Sequence, residues 1–238
     1  MGRTVIIVNY ENDDDIDTDN NTVEDPTYIK CVDLLLKTNT ELAAILDGVS
    51  TLVLSGGPQH IPDISSNDFE RRHPDLKCEI QLILLAAQRG ITVIGICLGF
   101  QLINYAFGNP VVSLSEPIIG GGFLDVSSVQ TYADPMLECI DFHALARGFS
   151  FHYDCVPVAV SPNLRVVATG PNGIIYFVKH AQFPIYGIQS HPEATVEGIH
   201  SCLELYDVLV PVDMPTEEVL RAAMTTFFHA FGISNPLD

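Results

Sequence analysis

The sequence predicts an α/β fold: an open, mostly parallel sheet flanked by helices, with a β-hairpin in its second half. Three observations predict it. Short β-branched apolar runs at 4–9, 51–55, 92–96 and 185–189 have the length and make-up of fully buried strands. Helix-length segments fall between the first three, and strand–helix alternation of this kind makes a parallel sheet with both faces covered. Two further runs, 164–169 and 174–178, flank Gly170-Pro171-Asn172-Gly173, whose Asn-Gly pair is a hairpin signal.

Taken in order, TVIIVN at 4–9 is the first strand, and the acidic stretch 11–25 is a surface loop. Residues 27–37 read as a helix. TLVLS at 51–55 is a second buried strand, broken by Gly56-Gly57-Pro58, and 59–75 is a long loop. A helix over 76–89 stops at Gly90. The strand at 92–96 runs into Cys97 and a helical pattern through Ala106. Residues 195–208 read as helix. Residues 215–231 form a final amphipathic helix with Leu220, Ala223, Met224, Phe227 and Phe231 on one side. Its apolar face is expected to pack on the sheet. With no repeat, low-complexity tract or linker, residues 1–238 are expected to form a single domain.

The composition limits the function. Hydrophobic residues make up 47% of 238 and charged residues 17%, so the chain builds a core and does not read as disordered. Thirty acidic residues against 11 basic give −19, and the isoelectric point is near 4.5. Such a surface repels phosphate backbones and anionic lipid heads, so neither nucleic acid nor membrane is an expected partner. Six cysteines are spread singly, without a Cys-x-x-Cys pair, which argues against zinc and thioredoxin-like sites. The first ten residues look like a strand rather than a signal peptide, and no apolar run reaches membrane-spanning length. The expected location is the reducing cytoplasm.

Gly95-Ile96-Cys97-Leu98-Gly99, between a strand and a helix, is a nucleophile elbow with cysteine in place of serine. The turn is sharp, and Gly95 and Gly99 relieve crowding between strand and helix. A sulfur at a helix N-terminus faces unpaired N–H groups and the helix dipole, which favour the thiolate. A thiolate that expels an amine needs a proton shuttle. Gln189-Ser190-His191-Pro192-Glu193 follows the strand at 185–189 and supplies one: His191 as base, Glu193 to orient it and stabilise its charged form. The Leu98 N–H, next to the nucleophile, suits an oxyanion hole. Ser55-Gly56-Gly57-Pro58 offers a second donor, where glycine lets the backbone approach a substrate closely.

Three segments in order, Leu54-Ser55-Gly56-Gly57-Pro58, Gly95 through Gln101, and Tyr186 through Glu193, resemble the class I glutamine amidotransferases. Their motifs look nearest to the glutaminase domain of GMP synthetase. Phe151-His152-Tyr153-Asp154 is similar to the family's Ser-His-x-Asp segment. The resemblance covers roughly residues 50–200. It implies a flavodoxin-like amidotransferase fold and a cysteine-dependent glutaminase. Cys97 would form a glutamyl thioester. His191 would protonate the departing ammonia and then activate water. Gly57 and Leu98 would hold the oxyanion. Gly56 and Gln101 would help bind glutamine, and His152 and Asp154 would touch its amino-acid end. No cofactor or metal is implied. A separate synthetase is the implied partner.

The chain departs from the pattern in places. Ser190 stands where the family usually has an aromatic residue, and Phe151 where it usually has serine. Gly108-Asn109 replaces a Gly-Gly, and the first strand runs into the acidic loop in place of Asp-x-Gly-x-Gln. Asp13, Asp15, Asp17 and Asp19 alternate as in a calcium loop. The turn glycine is missing and Pro26 occupies the glutamate position, so a solvated loop is expected. Arg71, Arg72 and His73 form a basic cluster, read as surface. Three functions remain open at this point: a glutaminase that feeds ammonia to a synthetase, a free-standing hydrolase of γ-glutamyl compounds, and a non-catalytic regulatory relative.

Overall fold

A computed structural model describes residues 3–9, 26–35, 37–61, 73–170 and 173–233. The main sheet has seven strands: β1 (Arg3–Val8), β2 (Thr27–Lys30), β3 (Val49–Leu54), β4 (Thr92–Ile96), β7 (Leu164–Thr169), β8 (Ile175–His180) and β9 (Ile185–Ile188). Their order is β2-β1-β3-β4-β9-β8-β7. From β2 to β9 every pairing is parallel. β8 and β7 then add antiparallel, as the expected hairpin. A smaller antiparallel sheet pairs β5 (Val112–Gly121) with β6 (Phe149–Cys155).

Helices cover both faces because the strands are apolar on both. Val5, Ile7, Leu52, Leu54 and Val93 point to one side. That side is packed by α1 (Asn39–Ile45), α2 (Pro74–Arg89) and α3 (Leu98–Ala106), through Leu42, Leu82, Ile83, Ala86, Phe100 and Ile103. The alternate residues Val53, Ile94, Ile96 and Ile188 face the other way. There they meet the short α4 (Pro135–Glu138) and α5 (Phe142–Leu145), and the terminal α7 (Glu217–Ala230) through Met224, Phe227 and Phe228. Burying a side chain of this size contributes about 1.5–3 kcal/mol. α6 (Val196–Leu205) packs Ile199 and Leu203 against Phe149 and Phe151 of β6 and Leu220 of α7.

The expected strand at 92–96 and the helix from Leu98 to Ala106 stand at those bounds. Gly90 closes α2 in the left-handed conformation, φ 67°. The expectation of a helix over 27–37 is corrected: Thr27–Lys30 is the edge strand β2, and Cys31–Leu34 a 3-10 turn. Tyr28 and Ile29 suit a strand, and pairing with β1 settles the choice. Helix α1, unread in the sequence, carries a complete capping box between Thr38 and Glu41. The acidic stretch 11–25, Arg71, Arg72 and the Asn172 turn lie outside the described residues. His73 is the N-cap of α2.

Candidate active site

β4 ends in the middle of the sheet, and the chain reverses there through Cys97. Its backbone sits at φ 50°, ψ −100°, a region that costs a non-glycine residue of order 1–3 kcal/mol. The surroundings hold it there. The Cys97 N–H donates to the Ile188 carbonyl at 2.8 Å, and the Gly99 N–H to that of Ser55 at 3.3 Å. A Cβ on Gly95 would lie 2.5 Å from the Gly99 carbonyl, and one on Gly99 would lie 2.5 Å from that of Leu54. Only glycine lets helix and strand come this close.

His191 follows β9, the neighbour of β4, so sheet order brings it to the elbow. Its N–H donates to the Phe149 carbonyl at 2.8 Å, anchoring it to β6. Its Nδ1 lies 2.7 Å from Glu193 Oε1. An ionised carboxylate only accepts, so Nδ1 carries the proton and Nε2 is left for Cys97. His191 and Cys97 line the same cavity, and the Cys97 side chain acts on the charge of the ring. Burial disfavours its charged form. The charge of Glu193 and its hydrogen bond to Nδ1, with a contribution from the nearby Cys97, outweigh burial and raise its pKa well above the ordinary histidine value. Gln189 Nε2 lies 3.7 Å from Cys97 Sγ, and the sulfur lies 3.8 Å from the Phe151 carbonyl. Sequence reasoning gave Gln189 no role, although it stands in the same motif as His191.

Leu98 opens α3, so its N–H belongs to the helix's first-turn donors, which have no intrahelical acceptor. Gly57 packs against it: a Cβ there would lie 2.8 Å from the Leu98 side chain and 2.6 Å from Asn9. Gly57 lines the cavity in front of Cys97. Gly56 is buried behind, its carbonyl accepting from Ser55 Oγ at 2.8 Å.

Gln101, His152 and Asp154 also reach this cavity, but their polar atoms brace its wall. Gln101 Nε2 donates to the Asp154 carbonyl at 3.1 Å. His152 Nδ1 bonds the same carbonyl at 2.9 Å, which leaves Nε2 to accept from the Tyr176 hydroxyl at 3.0 Å. Burial chiefly lowers the His152 pKa to about 4, so this ring is neutral. The Asp154 carboxylate holds His60 at 3.2 Å, the Ile61 N–H at 3.3 Å and Ser113 Oγ at 2.8 Å. His60 and Ser113 went unread in the sequence, since both lie far along the chain from Asp154.

A second buried cysteine lies apart from this site. Cys31 Sγ donates to Glu79 Oε1 at 2.9 Å and lies 3.8 Å from Asp75. Asn9 Nδ2 donates to the other Glu79 oxygen at 3.3 Å. Burial raises the Glu79 pKa to about 7. Burial and the charges and hydrogen bonds of Glu79 and Asp75 push the Cys31 thiol far up. Among the described residues, no group of three or more His, Cys, Asp or Glu side chains is placed to hold a metal ion.

Residues 19–202 match the family model of glutamine amidotransferase class-I. The chain belongs to the class I glutamine amidotransferase family. The chain is 29% identical over 146 residues to a GMP synthase of Anaplasma marginale, covering 61% of this chain and 26% of that protein. It is 32% identical over 105 residues to anthranilate synthase component 2 of Methanothermobacter marburgensis, covering 43% of this chain and 49% of the other. The chain thus spans less than half of each of these relatives. A solved glutamine amidotransferase from Thermotoga maritima shares the fold, with a TM-score of 0.59 at 19% identity, over 97% of this chain and 94% of that one. No described helix is long and apolar enough to cross a membrane.

Proposed function

We propose that this protein is a cysteine-dependent glutaminase that hydrolyses the side-chain amide of glutamine and releases ammonia for a separate synthetase. The observation that carries the reading is His191, bonded at Nδ1 to Glu193 at 2.7 Å and lining the same cavity as Cys97. Cys97 Sγ attacks the amide carbon, and the developing oxyanion lies at the Leu98 and Gly57 N–H groups. The imidazolium gives its proton to the leaving nitrogen, and ammonia departs. The neutral ring then takes a proton from water, whose oxygen attacks the thioester and frees glutamate. Glu193 holds the tautomer throughout.

Gln101, His152 and Asp154 act by fixing the shape of the wall that receives the glutamyl chain. The chemistry requires a reduced thiol, which fits a cytoplasmic location. The synthetase partner rests on the similarity to a GMP synthase and an anthranilate synthase component. A second reading, hydrolysis of larger γ-glutamyl compounds by the same triad, is favoured by a cavity of about 530 Å³ before Cys97.

The test is release of glutamate and ammonia from glutamine by the purified protein, with mass spectrometry of the quenched reaction. A glutamyl adduct on Cys97 is expected. Turnover with no adduct at Cys97 in any quench would overturn the assignment.

A further inference from the structure

The cavity in front of Cys97 is larger and more apolar than one amino acid needs. Its volume of about 530 Å³ falls within the roughly 300–1,000 Å³ of pockets that take drug-sized ligands. One side carries the Gly57 loop and His60. The other is built from β6 and α6 and presents Phe149, Phe151, Ile199, Leu205 and Tyr206. The Phe151 and Tyr206 rings meet edge to face, with centroids 5.3 Å apart. Leu205 is 67% exposed and Tyr206 37% exposed, so apolar surface faces water at the mouth. A ligand that covers it gains by the hydrophobic effect. No Lys or Arg is among the described lining residues, so this wall offers no strong cation for an acidic group.

The wall borders His191. His191 delivers the proton to the leaving nitrogen, and His191 is fastened to Phe149 by a backbone hydrogen bond, with the two ring centroids 6.5 Å apart.

We propose that the preferred substrate is a γ-glutamyl amide whose amine carries an aromatic or bulky aliphatic group, with Phe151, Ile199 and Tyr206 holding that group. The inference rests on the Cys97–His191–Glu193 triad above and deepens its second reading, hydrolysis of larger γ-glutamyl compounds, in place of ammonia supply from glutamine. The C–S bond forms as the C–N bond breaks, and the amine leaves with the proton of His191. Water then supplies hydroxyl to the acyl carbon and returns a proton to His191, releasing glutamate and free Cys97.

The test compares kcat/KM for glutamine, γ-glutamylglycine and γ-glutamylphenethylamide, alongside labelling of Cys97 by a glutamine-like chloroketone. The phenethylamide is expected to exceed glutamine by at least about tenfold, the scale set by one aromatic contact. Tyr206→Ala and Phe151→Ala should each cut that ratio by about tenfold, and Tyr206→Phe should keep it. The wild-type comparison stands even if a variant fails to fold. A ratio at or below one, or labelled Cys97 without phenethylamide turnover, overturns the inference and leaves the triad reading intact. No turnover of any substrate together with an unlabelled Cys97 overturns both.

Discussion

Two buried cysteines in this protein have opposite surroundings. Cys97 stands at a helix N-terminus and lines an open cavity together with a histidine whose charged form is favoured. Cys31 is 3% exposed and lies among carboxyl groups, with its thiol donating to Glu79. Burial is common to both, so burial does not decide reactivity. The sign of the neighbouring charge and access to solvent decide it. Cys31 is arranged to keep its proton.

The strongest break of this comparison is a swap of roles under mutation. Cys97→Ala should lower turnover by on the order of 10⁴-fold or more with an unchanged far-ultraviolet circular dichroism spectrum. Cys31→Ala should leave turnover within about threefold, since nothing places it near the chemistry. Substantial activity in the first variant would remove Cys97 from the mechanism. His191→Ala should cost about 10²–10⁴-fold in kcat. Glu193→Gln should cost less, because it disturbs the orientation and charge of the ring but leaves a ring to transfer the proton. The reverse order would mean that the carboxylate itself moves the proton.

The Cys31 side is sharpened by pH. Glu79 is buried and its folded-state pKa is about 7 against an ordinary 4.5. A folded value raised above the unfolded one gives stability that is fully present below pH 4.5 and lost as pH rises through 7. At about 1.36 kcal/mol per pKa unit, the loss is about 3 kcal/mol. Glu79→Gln should remove that slope in urea titrations run across the interval. An identical slope in both proteins would show that Glu79 titrates normally. Smallest is the labelling contrast: iodoacetamide at neutral pH should modify Cys97 about a hundredfold faster than Cys31, read by peptide mass spectrometry. Equal rates would dissolve the distinction.

The sequence made some elements legible and hid others for physical reasons. The β4–Cys97–α3 unit was readable because two glycines at fixed offsets and an apolar run have few other uses. The β7–β8 pairing was readable from its turn. The stretch 27–37 misled because a short edge strand and a 3-10 turn carry no period of their own. β6 went unread because FSFHYDC is buried on both faces at nearly every position and so shows no alternation. β5 is broken by a register shift between Ser113 and Ile118. Cys97, His191 and Glu193 could be picked out as one group because each follows a strand end in a recognisable string. The α6 wall of Ile199, Cys202 and Tyr206 could not, since in sequence it is an ordinary amphipathic helix. Only the packing of α6 against β6 turns it toward the cavity.

The backbone angle at Cys97 has an evolutionary consequence. A positive φ is a position where glycine is the relaxed occupant. A lineage under selection for folding alone would be drawn to glycine there, and a cysteine held at φ 50° resists that drift. Under the role proposed for Cys97, descendants that abandon catalysis should lose this side chain early, while the glycines on either side, which the packing of helix on strand requires, outlast it.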